Sequence, residues 1–134
     1  MRQIGPAPSL DEIDELARAA LASLPAAFGQ HLSDVIVRVE DFADEAVLRE
    51  LGIENPFELT GIYEGVPVGE KSVDASGQMP DRIRLFRRPI LDEWAERGDE
   101  TLEHLVRHVL IHEVGHHFGL SDEDMHALEE QAGG

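Results

Sequence analysis

The chain contains no cysteine, which removes disulfides, thiol nucleophiles and sulfur-ligated zinc in one step. A reducing compartment fits that absence, and any bound metal must be held by nitrogen and oxygen. Bases are also scarce: 11 Lys and Arg stand against 28 Asp and Glu, a net charge of −17. A surface of that sign repels polyphosphate backbones and anionic lipid over a Debye length. Neither nucleic acid nor a membrane is an expected partner. No apolar run approaches the roughly twenty residues that span a bilayer, and the opening MRQIGPAPS lacks the apolar centre of a secretory signal. The expected location is the cytoplasm. Internal repeats and low-complexity blocks are missing too, which excludes solenoids and propellers.

What is present fits one ordinary soluble domain: 134 residues, 42% of them hydrophobic, enough for one core and too few for two. The expected unit is 1–134, with 1–8 and 132–134 as loose tails. Ser9 and Glu12 have capping-box spacing, and Leu10, Ile13, Leu16, Ala17, Ala20, Leu21 and Leu24 follow a helical period up to Pro25. The alternating, β-branched run DVIVRVE, Asp34 to Glu40, predicts a strand, and Asp44 to Gly52 a short helix closed by glycine. Two more strands are expected at Glu58 to Gly65 and Asp81 to Arg88. Between them lies VPVGEKSVDASGQMP, a connection long for a passive linker. PILDEWAERG predicts a helix opened by Pro89 and stopped at Gly98. Asp99 or Thr101 can cap the main helix, whose apolar positions Leu102, Leu105, Val106, Val109 and Leu110 continue towards Val114. A last short helix is expected in DEDMHALEEQ. Helices interspersed with three strands imply a small α+β fold: a three-stranded sheet packed by helices.

The chemistry concentrates in HEVGHHFGLSD, His112 to Asp122. Two histidines four apart on a helix stand about 5–6 Å apart at Cβ, a span that one zinc ion bridges with two imidazoles. Glu113 lies on their flank, where a carboxylate can take a proton from a water on the metal without ligating it. A catalytic zinc usually needs a third protein ligand. Gly119 can take the left-handed conformation that reverses a chain after a helix, which would return Asp122 beside His112 and His116. Phe118 and Leu120 would anchor the turn.

These residues resemble the small bacterial zincin-like metallopeptidases, or minimal zincins, which carry His-Glu-x-x-His-x-x-Gly-x-x-Asp at the end of a chain of this size. The likeness runs from about Leu24 through Met125 and takes in GIYEGVP, PDRIRLFRRPI and RHVLIHEVGHHFGLSD. It implies a compact scaffold with Zn2+ on His112, His116 and Asp122, Glu113 as general base, and a peptide or protein substrate. Metzincins differ in having a third histidine where Asp122 stands and a downstream methionine turn for which this chain lacks room, so Met125 is expected to pack locally. A thermolysin-like set would need Glu129 or Glu130, and works only if the last helix folds straight back.

Other residues bear on the same chemistry. Each step of four rotates about 40° around a helix, so His104 should be exposed while His108 lies nearer the metal-facing line. His117 is expected at the surface or in packing, and His126 at the margin of the site. Arg82, Arg84, Arg87 and Arg88 read as a charged strand face that discourages edge pairing, or as one contact to a substrate carboxylate. Tyr63 fits the core better than an oxyanion-stabilising role. The competing functions are a non-catalytic metal-binding or interaction domain on the same scaffold and a zinc-dependent small-molecule amidase.

Overall fold

A computed structural model describes residues 7–25, 35–65 and 81–133, and among them finds five α-helices, one 3-10 turn and three strands. Helix α1, Leu10–Ala22, starts where Ser9 accepts a hydrogen bond from the Glu12 amide at 3.2 Å. It turns Ile13, Ala17 and Ala20 inward, the spacing of one helical face. It stops at Ala22, short of the expected Leu24, which is nevertheless buried.

Strand β1 is Ile36–Glu40, helix α2 Glu45–Leu51, strand β2 Gly61–Glu64 and strand β3 Arg82–Phe86. A 3-10 turn at Pro56–Glu58 takes the start of the run expected to be strand. Pro56 suits a first helical turn, and the Asn55 side chain accepts from the Phe57 amide at 3.1 Å. The long connection at 66–80 lies outside the described residues, as do 1–6 and 134 of the expected tails. Pro8 is tied down: its carbonyl accepts from Arg87 Nε at 2.6 Å.

The sheet order is β1-β3-β2, with β1 parallel and β2 antiparallel to β3. This placement corrects the expectation that the arginine-rich strand guards an edge, because β3 is central. Alternate side chains of a strand face opposite ways, and both faces of β3 are covered. Ile83 and Leu85 enter the main core with Ile13, Val37, Leu105, Val109 and Val114. Phe86 enters a smaller cluster with Ala43 and Val47. Arg84 shares that second face and is 9% exposed. Its guanidinium donates to Glu40 at 2.8 and 3.1 Å, to Asp44 at 2.8 Å and to Glu64 at 3.2 Å. Three carboxylates make burial of that cation tolerable, and they account for Arg84 without a substrate. Arg82 pairs with Glu64, Arg87 with Asp41, and Arg88 lies over the Phe42 ring.

Helix α3, Arg87–Arg97, begins two residues before Pro89, so Arg87 and Arg88 belong to it rather than to the strand. The Trp94 indole donates to the Glu100 carbonyl at 2.8 Å across the turn into the next helix. Helix α4, Leu102–Phe118, is capped by Thr101, whose hydroxyl accepts from the His104 amide at 3.1 Å. Gly119 ends it at φ 67, ψ 33, and no described residue other than glycine has positive φ. Helix α5, Asp122–Gly133, then returns along α4 and buries Met125 and Leu128. The return is close because of Gly115. A Cβ there would stand 2.1 Å from the Met125 sulfur, which packs against the motif helix. Among the described residues no helix is long and apolar enough to cross a membrane.

Candidate metal centre

His104, His108, His112 and His116 recur every four residues along α4, while Leu105, Val106, Val109, Leu110, Ile111 and Val114 around them are buried. The slow rotation of that stripe is visible in side-chain exposure: 58%, 34%, 39% and 57% in order. The middle pair therefore faces other protein groups while the ends face outward. His104 is turned to Glu100, with Nδ1 2.5 Å from Oε1. Burial alone would raise the Glu100 carboxyl, but hydrogen bonds from His104 and Arg97 outweigh it and hold that carboxyl below its usual range.

Glu113 is the buried member of the motif, at 8% exposure. Burial pushes its carboxyl above the usual range, while the neighbouring His116 imidazole and the Tyr63 amide pull it partly back. His116 Nδ1 stands 3.1 Å from Glu113 Oε1. That contact fixes the carboxylate and leaves the far nitrogen of His116 to face away from it. Strand β2 thus reaches the motif through the backbone of Tyr63, while the Tyr63 hydroxyl donates to Asp81 at 2.8 Å. Gly61 lets β2 and α4 approach: a Cβ on it would stand 3.0 Å from Val109 Cγ1.

His108, His112, Glu113 and His116 line a cavity of about 270 Å3, together with Thr60, Val109, Glu93 and Arg97. The last two were not singled out from sequence. They form an i,i+4 pair at 3.0 Å, and nothing in a helix-surface ion pair announces a cavity wall. On the other side of the stripe, His108 Nδ1 lies 2.5 Å from Glu129 Oε1 and His112 Nε2 4.0 Å from Glu129 Oε2. One donor atom each from His108, His112 and Glu129 fall within 4.8 Å of one another. The return of α5 that a Glu129 contact requires is therefore present. Sequence spacing alone could offer His108, as the residue one turn before His112, but not its partner.

Of the four residues expected at the site, His112, Glu113 and His116 border one cavity. Asp122 begins α5 directly after the Gly119 turn, and its side chain lies outside the described residues, as does that of His117. His126 is exposed, 3.9 Å from Glu130. The donor set suits zinc: imidazoles and carboxylates without sulfur, one carboxyl withdrawn from water, and a chain whose net charge attracts cations.

Comparison with curated proteins finds no match to this chain. A family model described as zincin-like metallopeptidase matches residues 32–132, which include both edges of the cavity, the motif helix and the returning α5. The chain belongs to the zincin-like metallopeptidase family.

Proposed function

We propose that the protein is a zinc-dependent peptidase, with His112, His116 and Asp122 holding the metal and Glu113 as general base. The observation that carries this reading is Glu113: a largely buried carboxylate, oriented by His116 and the Tyr63 amide, on a cavity it shares with both motif histidines. An acid so placed has no purpose in a closed structural zinc site, which is completed by four protein ligands. Zinc bound there would acidify a water and polarise the scissile carbonyl. Glu113 would accept the proton of that water, the transfer its raised affinity for a proton favours, and deliver it to the leaving amine. Strand β2 is an edge of the described sheet and runs beside α4. An extended substrate would lie antiparallel along that edge, its scissile bond brought over the cavity.

The test compares wild type with Glu113→Ala. Both should bind about one equivalent of zinc by calorimetry, and the variant should lose cleavage of a peptide library by on the order of 10²–10⁴-fold, the contribution of a positioned acid–base group. Equal cleavage by the two proteins would discard Glu113 as the base. A wild type that takes up no zinc at neutral pH would discard the metal centre.

A further inference from the structure

Glu129 stands in a position that the motif does not explain. Its side chain is only 14% exposed, and among the described residues its charged-group partners are two imidazoles, His108 and His112. Each carboxylate oxygen faces a different ring. The Oε1 contact to His108, at 2.5 Å, is a hydrogen bond. The Oε2 separation from His112, at 4.0 Å, is too long for one. A clamp that merely tied α5 to α4 would need the first contact and not the second.

One carboxylate facing two imidazoles offers the oxygen and nitrogen donors that a zinc ion takes. In a tetrahedral zinc site, ligand atoms about 2.0–2.2 Å from the ion stand roughly 3.3–3.6 Å from each other. The observed 2.5 and 4.0 Å lie on either side of that spacing. The two rings are tilted by 55° with centroids 4.4 Å apart. One donor atom from each of the three residues lies within 4.8 Å of the other two. The surrounding cavity, about 510 Å3, is lined by His108, His112, Glu123, His126 and Glu129. Among the described residues its lining presents two acids and three imidazoles, and no Lys or Arg.

We propose that His108, His112 and Glu129 form an alternative zinc position, one helical turn before the motif site. The inference rests on the reading above in one respect: His112 is common to both positions. Its Nε2 faces Glu129, and one imidazole nitrogen ligates one ion, so the two positions exclude each other. An ion held at the earlier turn is removed from His116, the residue that orients Glu113. It is a resting position for the metal, and the balance between the two registers sets how much of the bound zinc is competent for hydrolysis.

The experiment is calorimetric titration with zinc chloride at neutral pH, with folding of each protein checked by circular dichroism. Wild type should take up one equivalent, since His112 is shared, and two equivalents would overturn the exclusion. His116→Ala/Asp122→Ala removes two ligands of the motif set and should still take up one equivalent. Adding Glu129→Gln to that pair should then weaken binding by more than about 100-fold, because loss of a ligand costs more than loss of an outer-sphere partner. Should the alanine pair fail to fold, His116→Gln/Asp122→Asn carries the same comparison. A folded pair that binds no zinc while wild type binds one overturns the alternative position and leaves the motif reading intact. A wild type whose zinc withstands the pair undiminished but is lost with Glu129→Gln supports the position and overturns the motif set instead.

Discussion

At the scale of single residues, Glu113 has opposing demands on it. Burial favours its neutral form, and His116 and the Tyr63 amide favour its charged form, with burial prevailing. Its folded-state pKa is therefore above that of the unfolded chain, about 4.3. Between those two values the native state holds more protons than the unfolded state, so this group's contribution to stability falls as pH rises through the window. The metal-free protein should lose stability across that window at up to about 1.4 kcal/mol per pH unit from this group. Glu113→Gln, which cannot ionise, should flatten the slope. Urea unfolding of both proteins across the weakly acidic range measures it, and parallel slopes would mean that Glu113 ionises in the fold as it does in water. Asp44 has the opposite sign. The Arg84 hydrogen bond lowers its pKa, so its contribution is present above the ordinary carboxylate range and is lost as pH falls through the lowered value.

At the scale of elements, the decisive contact is that of α5 on α4. Gly115, inside the His-Glu-x-x-His motif, is buried and gives its space to the Met125 side chain. Gly115→Ala gains helix propensity, worth about 1 kcal/mol, but places a Cβ where the Met125 sulfur and Cγ lie. Overpacking of this kind costs about 1–3 kcal/mol, and here it also levers Glu129 away from His108 and His112. The variant should be less stable than wild type. Met125→Ala should be less damaging in the Gly115→Ala background than in wild type, so a double-mutant cycle by thermal unfolding should give a favourable coupling. Additive effects would show that α5 does not rest on this contact. Gly119 differs, because a Cβ there would meet open space. Its requirement is the positive φ that reverses the chain, and that turn was legible from its place after the motif helix.

At the scale of the whole molecule, a net charge of −17 is spread over a small fold whose buried cation, Arg84, already neutralises part of three acids. The remaining repulsion opposes the compact state. Raising salt from about 0.01 to 0.15 M shortens the Debye length from about 30 to 8 Å. The melting temperature should rise over that interval. A fall would mean that screened ion pairs outweigh screened repulsion.

The sequence by itself determined the local periods and the chemistry they carry. Ser9 and Thr101 cap their helices, and Gly52, Gly98 and Gly119 end theirs in the left-handed conformation. His112, Glu113 and His116 reach one cavity because α-helical geometry alone sets their relation. The boundaries that differed were those where neighbouring signals compete, as at Arg87 and Arg88, basic residues compatible with either a strand end or a helix start. Only the tertiary structure decided that β3 is central, that Arg84 is spent on three carboxylates from distant segments, and that Glu129 faces His108 and His112. The physical reason is range. Caps, turns and helix faces are fixed within a few residues by backbone sterics and hydrogen bonding, whereas strand order and helix return follow from how separate apolar faces share one core, and no local pattern records that choice.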